Sequence, residues 1–305
     1  MAYNFRGVRE GALTASTAVP EALMIRRATP SDVEACGIIC YKAFSTINKQ
    51  HNFPPDVPSE DVGKQVLSMM FSHPGFFCVV AEHNGKIIGS NCLDERAPIA
   101  GIGPITVDPE HQNVGAGRQL MAAVMNRAAE RKFAGLRLVQ AAFHGRSMSL
   151  YAKLGFDVQE PLVVMQGIAI HQVPCGYSVR PASAADLPAC VTLCRRVHGH
   201  DRSGELSDAI QQSMALVAEH NGRITAYASV VGFFGHAVAE NNEGLQGLIG
   251  ASDAFAGPGF LLPSRNTELF RWCLNHGLRV VEPMTLMSMG LYNTPNGAFL
   301  PSILF

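Results

Sequence analysis

The chain has 305 residues, 47% of them hydrophobic, and its 24 basic and 25 acidic side chains leave a formal net charge of −1. That length exceeds what one hydrophobic core commonly serves, so two domains are expected. A balance so close to neutral gives no electrostatic basis for a nucleic acid or an anionic membrane as partner.

No apolar run approaches the roughly 20 residues needed to cross a bilayer, and residues 1–23 lack the hydrophobic centre of a secretory signal. A cytoplasmic protein with a frayed tail at 1–23 is expected. Periodicity then predicts a strand at 23–27, a helix at 31–45, a loop carrying Pro54, Pro55 and Pro58, a helix at 59–72 and a strand at 76–83. Strands at 86–95 and 100–107, a helix at 115–132, a strand at 135–142, a helix at 146–153 and a strand at 157–166 follow. Strands fill the middle and helices flank them, the pattern of an α/β domain with a mixed sheet.

One junction carries chemistry. From Val107 through Asp108, Pro109 and Glu110 to Gln112, Asn113, Val114, Gly115, Ala116, Gly117 and Arg118, an apolar strand passes through a glycine-punctuated turn into an amphipathic helix. Small residues at 115–117 let successive N–H groups converge on an anion, and the unpaired N–H groups of the helix's first turn add partial positive charge. A diphosphate fits such a turn. The spacing matches neither the dinucleotide-binding fingerprint nor a P-loop.

The turn resembles the Gln/Arg-x-x-Gly-x-Gly/Ala signature of the GCN5-related N-acetyltransferases (GNAT). Ser147-Met148-Ser149-Leu150-Tyr151-Ala152-Lys153-Leu154-Gly155-Phe156 resembles the last helix of that family and the turn that ends it, with Gly155 as helix cap. The resemblance covers residues 24–167 and implies an acetyl-CoA-dependent N-acetyltransferase acting on a small-molecule or amino-acid-like amine. The pantetheine arm would pair with main-chain groups of Ile105, Thr106 and Val107, and an N–H there would polarise the thioester carbonyl. Residues 112–118 would hold the diphosphate, with Arg118 and Arg146 adding charge and Ser147 nearby. His144 stands where the family often has a cofactor-contacting asparagine.

For chemistry, the resemblance points to Tyr151 as the acid that protonates the departing thiolate, against a plain packing role beside Leu150 and Leu154. The base is open between Glu95, Asp94 and a water relay, and either acid could instead pair with Arg96 on the surface. A rival reading is a non-catalytic acyl-CoA sensor or scaffold, which needs the turn but not Tyr151.

The two halves also repeat. Residues 25–36 are echoed at 179–190, and Val80-Ala81-Glu82-His83-Asn84-Gly85 recurs unchanged as Val217-Ala218-Glu219-His220-Asn221-Gly222. Each Asn-Gly pair between apolar strands predicts a hairpin. Gly155, Glu160, Pro161 and Met165 are matched by Gly277, Glu282, Pro283 and Met287, and Tyr151 by Cys273. Where the first copy has its anion turn, the second has Glu240 and Glu243 and no Gly-x-Gly, so it is expected to repel a diphosphate. The expected layout is a catalytic domain at 24–167, a linker at 168–176 and a degenerate GNAT-like domain at 177–305. The second domain is kept for packing, for walling the acceptor pocket, or for homodimer contacts.

The eight cysteines are expected to be reduced and no metal is expected. Cys190, Cys194, His198 and His200 could gather zinc, but Phe44 opposite His198 in the first copy says such a site is not intrinsic to the fold.

Overall fold

A computed structural model describes residues 23–304, so the tail expected at 1–23 lies, but for Leu23, outside the described residues. The first copy comprises β1 (Leu23–Arg27), α1 (Val33–Gln50), α2 (Glu60–Ser72), β2 (Phe76–His83) and β3 (Lys86–Asp94). It continues through β4 (Ile99–Ile102), β5 (Thr106–Val107), α3 (Ala116–Glu130), β6 (Gly135–Ala141), α4 (Gly145–Lys153) and β7 (Asp157–Gln166). The second copy comprises β8 (Tyr177–Pro181), α5 (Leu187–His198), α6 (Ser203–Gln211), β9 (Leu216–His220), β10 (Arg223–Ala228) and β11 (Ala237–Ala239). Then come α7 (Asn242–Gly250), β12 (Phe260–Pro263), α8 (Thr267–Asn275), β13 (Arg279–Gly290) and β14 (Ala298–Leu300).

The repeat written in the sequence is a repeat of contacts. Arg26 binds Asp32 at 2.8 Å and Glu82 at 3.0 Å, and Arg180 binds Asp186 at 2.8 Å and Glu219 at 2.6 Å, so each copy staples its first strand to the following helix and to the hairpin. Both Asn-Gly pairs turn through positive φ, with Asn84 at 52° and Gly85 at 75°, and Asn221 at 53° and Gly222 at 73°. Two residues in that region are what a tight hairpin needs. Ser59 caps α2 by accepting from the Val62 N–H at 3.3 Å, which fixes where the loop after α1 ends.

Two expectations need correction. The strand expected at 100–107 is broken into β4 and β5, because Pro104 has no N–H to give a ladder and Gly103 at φ 137° turns the chain. The cysteines are not all reduced: Cys78 and Cys92 lie directly opposite each other on β2 and β3 and form a disulfide.

The halves share strands. The large sheet runs β1-β2-β3-β4-β6-β13-β7-β12, with β5 pairing β3, and the small sheet runs β14-β11-β10-β9-β8. The strand β13 of the second copy thus lies between β6 and β7 of the first, and β7 in turn borders β12 of the second. A boundary at 168–176 therefore does not separate the sheets. The physical reason is two-sided burial: Met284, Leu286 and Met287 are buried, and a strand so apolar needs hydrogen-bonded neighbours on both edges.

Candidate active site

A cleft of about 820 Å³ opens where β5 and β6 part. On one wall, β5 pairs with β3 through Gly89↔Val107 and Ser90↔Thr106, and its other edge meets no strand among the described residues. On the other wall, β6 pairs with β4 only over residues 135–137, so 138–141 have no strand neighbour on the cleft side. Gln140 projects a buried Nε2 with no hydrogen-bond partner. Two open backbone edges and an orphaned amide donor suit an extended ligand rich in amides. Gly89 permits the approach, since a Cβ there would meet the Thr106 carbonyl oxygen at 2.5 Å.

The anion turn closes one end. Asn113 at φ 73° and Gly115 at φ 86° are left-handed, Gly115 caps α3, and a Cβ on Gly115 would meet nothing, so the approach to the helix N-terminus is open. The Arg146 guanidinium, in the first turn of α4, donates to the Gln112 amide oxygen at 2.5 Å and to the Asn113 amide oxygen at 2.9 Å. One cation is therefore held over the turn by neutral acceptors, which leaves its charge uncompensated and available to an anion. Ser147 donates to Gln140 at 3.0 Å, and burial, with Arg146 second and His51 third, lowers the pKa of His144, keeping that ring neutral.

The cleft gathers Ile105, Thr106 and Val107 with Gln112, Asn113 and Gly115, and it also takes in Ala116, Gly117, Arg118, His144, Ser147 and Tyr151. Val114 points away and is 42% exposed. Tyr151 is 6% exposed, packs edge-on against Phe156, and its phenol pKa is raised by burial alone, so it stays protonated at neutral pH.

Asp94 and Glu95 are not in the cleft wall. Glu95 is gripped by Arg127 at 2.7 and 3.1 Å, and Asp94 by Arg96 at 2.9 and 2.5 Å. Each is a neutralised ion pair at the end of β3, held by its arginine and outside the cleft wall. Cys190 and Cys194 sit in the core with Leu193 and Val197, and burial pushes the Cys190 thiol up to about 12. Among the described residues, no three His, Cys, Asp or Glu side chains are placed to hold a metal ion.

Several cleft residues carry no motif. Phe143 stacks on Phe53 at 4.3 Å between ring centres, and Phe233, Phe234, Met284, Ile303 and Leu304 of the second copy complete the wall. Asp56, in the proline loop, lines the cleft in direct contact with buried Glu282 of β13, and among the described residues no other donor meets Asp56 Oδ1 or either Glu282 oxygen. Burial first, and then Asp56, raise the pKa of Glu282; burial also raises that of Asp56. A carboxyl whose folded pKa is raised stabilises fully below the ordinary glutamate range, and that contribution is lost as pH climbs toward the raised value. Glu282→Gln should therefore gain melting temperature over the unaltered protein by more at about pH 9 than at about pH 5. An equal difference at both values in thermal denaturation would contradict this burial argument.

The corresponding gap in the second copy is closed. There β11 pairs with β10 on one edge and with β14 on the other, Val238 opposite Phe299, so the chain's own strand fills the place that stays open beside β5. The Asn241 side chain already accepts from the Gly244 N–H at 3.1 Å, and Glu240 is paired with Arg196 and Arg223.

The first copy thus has a mixed sheet that splays beside an anion turn, and the second repeats the strands with the gap filled and the turn missing. Residues 44–156 match the model of the Acetyltransferase (GNAT) family, and this part of the chain is a GNAT domain. That family binds acetyl-CoA or CoA. The fold is similar to that of a putative acetyltransferase from Pyrococcus horikoshii, at 18% identity over 90% of this chain and 94% of that one, with a TM-score of 0.69. It is also similar to a GCN5-related N-acetyltransferase from Sphaerobacter thermophilus, at 14% identity over 89% and 96% of the two chains, with a TM-score of 0.59. A tandem GNAT protein from the clavulanic acid biosynthesis pathway matches at 14% identity over 88% and 98%, with a TM-score of 0.53. No curated protein matches the sequence. No helix among the described residues is long and apolar enough to cross a membrane.

Proposed function

We propose that the protein is an acetyl-CoA-dependent N-acetyltransferase that passes the acetyl group to the amine of a small acceptor by direct attack, with Tyr151 as general acid. One observation carries the reading: the β5/β6 gap is open in the copy that has the anion turn and filled by β14 in the copy that lacks it. Ile105, Thr106 and Val107 would hold the pantetheine arm, and residues 112–118 with Arg146 the diphosphate. The amine nitrogen bonds to the thioester carbon and the C–S bond breaks. The thiolate takes the Tyr151 proton, and the amide nitrogen gives up its own proton, which returns through water to the Tyr151 phenolate.

Calorimetry with acetyl-CoA tests the binding half of this reading. Saturating ligand, at about 100 times its Kd, should stabilise the fold by about 2.7 kcal/mol, and thiol release with an amine panel reads the chemistry. No binding, or binding unaffected by altering residues 115–118, would end the proposal. Arg146→Ala should weaken CoA binding by roughly tenfold while leaving the affinity for acetyl-pantetheine, which has no diphosphate, unchanged. A loss on both ligands would assign Arg146 a role in holding the turn's shape instead.

A further inference from the structure

We propose that Asp56 and Glu282 together form the acceptor's ammonium subsite, so that the cleft selects a small apolar molecule carrying a cationic amine. The inference rests on the acetyltransferase reading above and adds the chemical class of its acceptor.

The duplication explains how the site arose. Glu160 and Glu282 are matched positions, and each follows a bulge in the β7/β13 ladder, which skips Gln159 on one strand and Val281 on the other. A bulge re-aims the next side chain, and both carboxyl groups are fully or almost fully buried. Glu160 meets its cation: Arg265 donates to it at 2.6 and 2.8 Å. The residue matching Arg265 in the other copy is Phe143, so Glu282 inherits the buried position without the guanidinium. It faces Asp56 instead, which is 7% exposed and has an oxygen with no partner. Asn48 beside them spends its amide N–H on the Pro54 carbonyl at 2.6 Å, and its own Oδ1 is also unpartnered.

The two buried carboxyl groups contact each other and Asn48, and among the described residues no Arg, Lys or His is paired with either, so they suit a group that brings donors and a positive charge. An ammonium has three donors and one positive charge, the complement of two carboxyl groups that share one proton. Phe44, Val66, Phe233, Phe234 and Ile303 give the cleft apolar wall as well, beside the polar Thr46, Gln50 and His51. A carboxylate or phosphate on the acceptor would meet like charge there, whereas an alkyl or aryl group would be buried at a gain.

The test uses the full chain loaded with CoA and titrated calorimetrically with phenethylammonium and hexylammonium, against the neutral 2-phenylethanol and 1-hexanol and the anion phenylacetate. The ammonium probes should bind at least tenfold tighter than the matching alcohols, and phenylacetate should bind weakest. Asp56→Asn should abolish the preference for the charged probe. Glu282→Gln should keep it, because the amide donates to the Asp56 carboxylate as the shared proton does. Both variants should retain the affinity for CoA. Equal affinity of the unaltered protein for ammonium and alcohol, or no binding of any probe to protein that does bind CoA, overturns the subsite and leaves the acetyltransferase reading standing. Failure to bind CoA overturns that reading instead. Should Asp56→Asn not fold, Asp56→Ser and the comparison within the unaltered protein decide.

Discussion

Tyr151→Phe should lower kcat by about 10²- to 10⁴-fold while the Kd for acetyl-CoA stays within about twofold, the signature of a proton delivered only as the C–S bond breaks. The change removes one oxygen from a ring that packs against Phe156, so the aromatic core around α4 is kept. Burial holds the phenol protonated, which argues against a base; it also weakens the phenol as an acid, so its proton leaves only to a thiolate formed beside it. Rate constants from thiol release, set beside calorimetric affinities, check this. If kcat is unchanged, the thiolate is protonated by water. If affinity falls in parallel with rate, the ring is a wall of the cofactor cleft and nothing more.

Arg96→Ala should cost about 3–5 kcal/mol of unfolding free energy, the largest loss expected from any single charged residue here. The guanidinium is 12% exposed, forks onto Asp94 at 2.9 and 2.5 Å, and reaches Asp208 of α6 at 2.8 Å while lying over the Phe76 ring. Removing it leaves the Asp94 carboxylate without its guanidinium and leaves Asp208 only the His73 ring at 3.3 Å, at a seam between the copies that is partly buried. Arg96→Lys should recover only part of the loss, because an ammonium cannot grip Asp94 with two parallel bonds and reach Asp208 as well. Urea denaturation measures both. A loss below about 1 kcal/mol for the alanine variant would mean that the seam is solvated like an ordinary surface pair.

Much of the architecture was legible because local rules decided it. Asn84-Gly85 and Asn221-Gly222 make the hairpins they announce, and Gly115 takes the left-handed backbone that only a glycine adopts cheaply. The end of the cleft that holds the anion turn was legible for the same reason: it is built from one contiguous stretch, plus a helix carrying Tyr151. What sequence reasoning missed is long-range. The exchange of β7 and β13 leaves no local mark, since an apolar strand does not name its neighbour. The Cys78–Cys92 bond was hidden by the register shift between Ala81 and Glu82; without it a two-residue hairpin places Cys78 opposite Asn91. Glu95 and Asp94 drew attention as acids near a strand end, yet their arginines come from Arg127 on α3 and from the adjacent Arg96. Asp56 and Glu282 carried a usable signal in the unequal pair Arg265 and Phe143, visible only once Glu160 is known to bind Arg265.

The strand exchange also governs what selection can discard. A polypeptide ending after β7 would leave β6 and β7 without the partner that separates and joins them, exposing ladder groups along seven registered positions of β6, from Gly135 to Ala141. Such a fragment is an invitation to aggregate. The half without a working turn is thus tied to survival of the other half by its hydrogen bonds, free to drift in its own former pocket but never to be deleted. Its drift also has an outlet, because changes near Phe233 and Phe234 reshape the far wall of the cleft without touching β5 or the anion turn.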